Sequence, residues 1–464
     1  MTEKETTPDH DSFEPWMLAA VMVLLVTVVL TGCGSQVVAN TDSESAAASA
    51  EVSTTMPTTT EASTTTTTTT EASTTTTAMP SEDVAPASET GEVVAEEPRF
   101  ELIGELDLTT AEVNDMVAFV EASAGRDFLR PPVIEVQSIE DFEAELVPSP
   151  EIAALMEESA EANARLYQAL GYTAQGVGEL ANSLADLGQS TDFISGRYDP
   201  TADVVYMPEG VLVGDEFNAI LVHELLHALD GQHVDLVGLL DRLEELAGAD
   251  TGTDEAFSII AVVEGRATAV QFEWMFANNV IPSQTDIPEA FNTVPAAAIN
   301  AAILPYQLGA QSIIELGGPA ETWDLYDDFP TSSEQMVFPS RIGNDEPIAV
   351  EAPLVEGEIF FEGVNGVEGL LILGLGDTLE PEPALIFEIL AAAEGWGGDQ
   401  FVLSGDENQS CLTGSIAADT PEDLAELESL FSGWSARETA SPVTRTAVVD
   451  AGLLTISSCA PFNA

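Results

Sequence analysis

The chain has 464 residues, 45% of them hydrophobic, and carries 81 acidic against 11 basic residues, a formal net charge of −70. The length exceeds one ordinary domain, and the apolar fraction suffices for a sizeable core. The charge excludes binding to nucleic acid or anionic lipid through a basic patch; a strongly hydrated acidic surface suits salty or extracellular surroundings.

Near the N-terminus, WMLAAVMVLLVTVVLTGCGS holds an apolar run of about fifteen residues. That is shorter than the ~20 residues a spanning helix needs and fits the hydrophobic region of a signal peptide. The run ends in Leu30-Thr31-Gly32-Cys33, which resembles the lipobox of bacterial lipoproteins. The resemblance implies a signal peptide over 1–33, acylation of Cys33, and an extracytoplasmic, lipid-anchored protein on a bacterial surface. An uncleaved membrane anchor is the alternative. Residues 34–98 are low in complexity, with the repeat EASTTTTTTTEASTTTTAMP. Few apolar groups there offset ordering entropy, so a disordered linker is expected, a stalk that holds a folded domain off the membrane.

Order is expected from Arg99. AEVNDMVAFVEASAGR has helical spacing and ends near a glycine, and PPVIEVQS reads as a short strand. IAALMEESAEANARLYQALGY is an amphipathic helix, and FISGRYDPTADVVYMP reads as a hairpin around an Asp-Pro turn. The helix bearing HELLHALDGQH follows. DEAFSIIAVVEGRATAVQFEWMF is a long helix with acids in its first turn, where the helix dipole favours them. A main domain over 99–345 is expected. From 346 to 464, short apolar runs, glycines and a helix near 382–394 predict a small C-terminal α+β unit. With Cys33 assigned to lipid, Cys411 and Cys459 remain as an even pair and are read as a disulfide outside the cytoplasm.

Of the four histidines, three lie in HELLHALDGQH. Residues four apart on a helix stand one above the other, so His223 and His227 can present both imidazoles to one ion. Glu224, beside the first, can lean over the open position and take a proton from bound water. This H-E-x-x-H arrangement is the machinery of zinc-assisted hydrolysis. Two residues compete as third ligand. His233 has the spacing of the metzincin histidine, but the bend position is Asp230, with Gly231 one residue late. Glu264, in VVEGRAT on the following helix, corresponds to the glutamate of gluzincins. Gly265 in mid-helix costs ~1 kcal/mol relative to alanine, tolerable if two helices approach closely to share an ion. With Glu264 as ligand, His233 and Asp235 are expected to orient a ligand imidazole.

LVHELLHALDGQHVDL, VVEGRAT, LPYQLG and SSEQMVFP together resemble a family of secreted bacterial gluzincin-like proteins, over roughly residues 99–400. The resemblance implies an α+β, zincin-like fold with a small mixed sheet and active-site helices. It implies His223, His227 and Glu264 as zinc ligands and Glu224 as general base. Two positions depart from the family pattern: Gly231 replaces an aspartate and Phe338 a late histidine. With Phe338 unable to stabilise an oxyanion, Tyr306 in LPYQLG is the expected substitute. Zincins bind extended peptides along the edge strand upstream of the motif helix, a place assigned here to Val204–Met207. Tyr198 and Tyr206 are read as hairpin packing.

The expected function is a lipid-anchored, extracytoplasmic zinc metallopeptidase acting on peptides or proteins. The alternative is a non-catalytic zincin-fold surface lipoprotein with a binding or envelope-structural role. Oligomeric state is not legible.

Overall fold

The structure, a computed structural model, describes residues 97–147, 150–187, 195–210, 214–247, 252–280, 289–379, 381–406 and 408–462. The expected signal peptide with Cys33, and the Thr-rich linker up to residue 96, lie outside them. Among the described residues no helix is long and apolar enough to cross a membrane.

The first part of the chain builds a four-stranded sheet and its helices: β1 (Glu101–Ile103), α1 (Thr110–Ala124), β2 (Val133–Gln137), α2 (Ile139–Leu146), α3 (Pro150–Ala169), α4 (Val177–Leu187), β3 (Arg197–Asp199) and β4 (Val204–Pro208). α1 starts in a capping box: the Thr109 side chain accepts from Glu112, whose carboxylate reaches back to the Thr109 N–H at 2.7 Å. It stops at Gly125, where φ is 66°, a left-handed conformation that glycine adopts without strain. The strand order is β1-β2-β4-β3, with β1, β2 and β4 parallel and β3 antiparallel. This corrects one expectation. Val204–Met207 is not an edge: β2 pairs with its outer side, Val133 opposite Val204, and the sheet's edges are β1 and β3.

Four helices follow: α5 (Asp215–His233), α6 (Leu236–Ala247), α7 (Gly252–Ala277) and α8 (Ala296–Glu315), then the short α9 (Ser333–Val337). Every residue of α5 from Ala219 to Asp230 is buried, as expected of a helix apolar on all sides. α7 lies against both α5 and α8.

The remainder forms a five-stranded antiparallel sheet with three helices: β5 (Glu358–Gly363), α10 (Gly366–Leu375), α11 (Pro383–Ala393), β6 (Trp396–Gly405), β7 (Gln409–Ala418), α12 (Pro421–Ser435), β8 (Thr444–Asp450) and β9 (Leu453–Pro461), in the order β5-β6-β7-β9-β8. Cys411 and Cys459 sit opposite one another on β7 and β9, Cα atoms 4.1 Å apart, and are joined by a disulfide. The fold is therefore mixed α+β. Its hydrophobic residues fall into two clusters. One gathers α1, the first sheet and α5; the other runs from Phe142 on α2 through α8 to Ile456 on β9. α7 contributes to both: Phe257, Ala261, Val262 and Ala269 to the second, Ala267, Val270, Trp274 and Met275 to the first.

Candidate metal centre

His223 and His227 lie one turn apart on α5, their Nε2 atoms 3.0 Å from each other. Glu264 on α7 brings Oε2 to 3.3 Å from each. Tetrahedral ligands held ~2.0–2.1 Å from one ion are roughly 3.3 Å apart, so the three donors already have coordinating separations. All three side chains are buried. Glu264 Oε2 makes no hydrogen bond, and neither do the Nδ1 atoms of the two histidines. A buried carboxylate oxygen left in this way is costly unless a cation sits against it. The group can hold a metal ion.

The electrostatics agree with that reading. Burial pushes the Glu264 carboxyl up, but His227 and His223 outweigh it and bring it down to about 2. For His227 burial opposes the charge, and Glu264 overrides burial to raise it. Glu224 is raised by burial, against the pull of His223 and His227. The Tyr198 main chain on edge strand β3 also acts on Glu224, as a small influence lowering its pKa. Gly196, just before β3, lies so close that a Cβ there would meet Ile220 at 2.9 Å and the Glu224 side chain at 3.2 Å.

Tyr306, on α8, is wholly buried and stacks on His223 with ring centroids 6.5 Å apart. Its hydroxyl has no hydrogen-bond partner. Burial and the nearby Glu264 and Glu224 carboxylates raise its pKa well above the usual value. The approach of α8 depends on two glycines. A Cβ on Gly265 would fall 2.4 Å from the Gly309 carbonyl carbon, and one on Gly309 would fall 2.2 Å from the Ala261 oxygen. The close approach expected at Gly265 is thus real, but it admits the Tyr306 helix, not the histidine helix.

His233 does not join the donors. Its Nε2 faces the Asp127 carbonyl at 2.9 Å, and its ring packs edge-on against Trp323. Asp235 instead accepts from the Gly238 N–H at 3.0 Å. The expectation that these two orient a ligand imidazole is corrected: His233 packs at the end of α5, and Asp235 caps the first turn of α6. Gly231 has a packing reason, since a Cβ there would strike the Tyr198 hydroxyl at 2.4 Å. Tyr198 in turn bonds Asp203 at 2.9 Å, and Tyr206 lies under the Arg197 guanidinium, so both tyrosines pack within the hairpin. Phe338 is half-buried against the second cluster.

Sequence reasoning passed over Asp230, Arg266 and Tyr326. They form a polar network on the same two helices as the three donors and on the short 3-10 helix Trp323–Tyr326, with a bidentate Arg266–Asp230 pair at 3.0 and 3.1 Å. Thr268 and Gln271, one and two turns on from Glu264, are also buried, and their side-chain polar atoms have no partners. A second acidic group, Glu334, Asp345 and Asp419, already surrounds a cation: one nitrogen of Arg341 contacts all three.

Comparison of the chain with protein-family models, curated proteins and solved structures finds no match. What the site can do is therefore argued from its own chemistry. Two imidazoles and a carboxylate on one side, with a second carboxylate and a phenol nearby, can bind a divalent ion and move a proton beside it.

Proposed function

We propose that the chain is a zincin-like, gluzincin-type zinc metallopeptidase. The observation that carries this reading is the convergence of His223, His227 and Glu264 from two helices, with Glu224 beside them. Two nitrogens and one oxygen form the donor set of hydrolytic zinc sites. Bound zinc would supply a Lewis acid and a water of lowered pKa. Glu224, raised by burial, accepts the proton of the attacking water and returns it to the leaving amine. The Tyr306 hydroxyl, which no protein group engages, donates to the developing oxyanion. The edge strand β3, just upstream of the histidine helix, aligns an extended peptide by main-chain pairing. The acidic surface repels acidic segments, so neutral or basic peptides are the substrate class. The Cys411–Cys459 disulfide supports an oxidising compartment, in keeping with extracytoplasmic anchoring through Cys33.

One observation favours the alternative, a non-catalytic zincin-fold surface lipoprotein. His223, Glu224, His227 and Glu264 are only 4%, 3%, 3% and 1% exposed, which leaves little room for a peptide to reach them. The two readings separate in one comparison of wild type with Glu224→Gln for zinc content and for cleavage of a broad peptide library. Stoichiometric zinc in both with cleavage by wild type alone is expected of the peptidase. Stoichiometric zinc with cleavage by neither selects the binder.

A further inference from the structure

We propose that Asp230 and Arg266 are the positioning residues of the metal centre. Their ion pair fixes the spacing and rotation of α5 against α7, so that the three donors stand at coordinating separation before an ion arrives. The proposal rests on the metal-centre reading above.

Asp230 lies one turn beyond His227 on α5, and Arg266 two residues beyond Glu264 on α7. The pair therefore bridges the same two helices as the ligands. Both side chains are 0% exposed. The contact is bidentate, Nε to Oδ2 and Nη2 to Oδ1, and two parallel bonds fix orientation as well as distance. Neither partner can shift. The remaining Arg266 nitrogen donates to the Pro319 carbonyl at 2.5 Å and to Thr322 Oγ1 at 2.8 Å. The guanidinium lies 4.2 Å from the centre of the Trp323 ring and 5.3 Å from that of Tyr326. The Tyr326 hydroxyl donates to Asp230 Oδ2 at 2.6 Å.

Two features assign this network to geometry and not to stability alone. Metal-binding histidines are ordinarily aimed by a hydrogen bond from the second ring nitrogen. Here both Nδ1 atoms lack a protein partner, so the placement of the helices is what aims the rings. A buried ion pair is also a poor way to gain stability, because apolar residues of similar volume do as well or better. What apolar residues do not supply is a fixed register between helices, and a metal site tolerates displacements of only ~0.5 Å.

The test uses the full chain, metal-free, titrated with Zn2+ and with Co2+ against a chelating competitor. Asp230→Leu/Arg266→Met removes both charges together and keeps the apolar volume. Tyr326→Phe removes one bond to Asp230 and leaves the pair. Expected for the double variant is a metal-free Tm close to wild type, Zn2+ affinity reduced by about 10–100-fold, and altered visible bands of bound cobalt. Tyr326→Phe is expected to lose affinity severalfold. A merely structural role leaves cobalt bands and affinity unchanged in a folded double variant, and that result overturns the proposal while the metal reading stands. If the double variant does not fold, Tyr326→Phe decides: wild-type affinity and bands in it overturn the proposal. A wild-type chain that binds neither metal overturns the metal reading, and the proposal falls with it.

Discussion

Gly265 on α7 and Gly309 on α8 meet backbone to backbone, with room for no side chain between them. This contact carries Tyr306 to His223. A methyl group at either position must push the two helices apart, and because the obstacle is main chain, no rotamer relieves it. Gly265→Ala and Gly309→Ala are each expected to destabilise by ~1–3 kcal/mol and to weaken metal binding. Gly433→Ala on α12 is the control: its Cβ meets nothing within 4 Å, and helix propensity favours alanine by ~0.8–1 kcal/mol. Thermal melts of the three variants check the contrast. A neutral Gly309→Ala would show that the helices are not in contact there.

One ion per chain is expected, and binding at a thousandfold excess over Kd raises stability by ~4 kcal/mol. Chelation should lower the Tm accordingly. His223→Ala, His227→Ala and Glu264→Ala should each abolish stoichiometric binding, while His233→Ala should retain it, since His233 bonds a distant carbonyl. Metal analysis of the purified variants decides; loss of metal in His233→Ala with retention in Glu264→Ala would reverse the ligand assignment.

Tyr306→Phe should leave metal content intact, because the hydroxyl is not among the converging donors. If the phenol stabilises an oxyanion, cleavage falls by ~10²–10³-fold in kcat. Equal kcat in the two proteins would remove Tyr306 from the mechanism.

Metal-free stability should fall as the pH rises from about 4 to about 8. Burial, first among the causes in each case, pushes Glu334 and Glu368 up to about 8, Asp399 to about 7 and Asp254 to about 6. An acid whose folded pKa lies above its unfolded value binds more protons when folded, so its stabilisation is present at low pH and lost between the two values. His227 acts in the same direction, since Glu264 overrides burial and raises it to about 9. Glu264, brought down to about 2, opposes them only below the ordinary carboxylate range. The metal-free Tm should be higher at pH 5.5 than at pH 8.5, and Glu368→Gln should flatten the dependence. A Tm that rises over this interval contradicts the assignment.

Reduction of Cys411–Cys459, which spans a sequence separation of 48, should cost ~4 kcal/mol on the chain-entropy account. The bond joins two strands of the second sheet and touches no ligand. Reduced protein should melt earlier yet keep wild-type metal stoichiometry, as denaturation and metal analysis with and without reductant will show.

The parts legible in the sequence were those with a local signature. The capped α1, the hairpin, α5 and α7 each follow from caps, periodicity or turn residues, and the His223–His227 pair follows from helix spacing; Glu264 was one of two candidates for the third donor. Sheet order was not legible: that β2 covers Val204 depends on pairing between distant strands. α8 was not read as a helix: it carries Pro305 and Gly309, both unfavourable in a helix interior, and tertiary packing keeps it continuous. β6 is buried at all ten positions and so lacks the alternation that marks a half-exposed strand. Arg266 was invisible because an arginine on a helix is ordinarily solvated; nothing in the local pattern distinguishes one with 0% exposure.

α7 gives residues to both hydrophobic clusters and Glu264 to the metal group. It is a shared beam, so neither half of the molecule can melt without disturbing the carboxylate that completes the triad. Release of a bound ion should therefore coincide with the main unfolding transition, in one cooperative event. A coloured or fluorescent metal in this position would report the integrity of the whole fold.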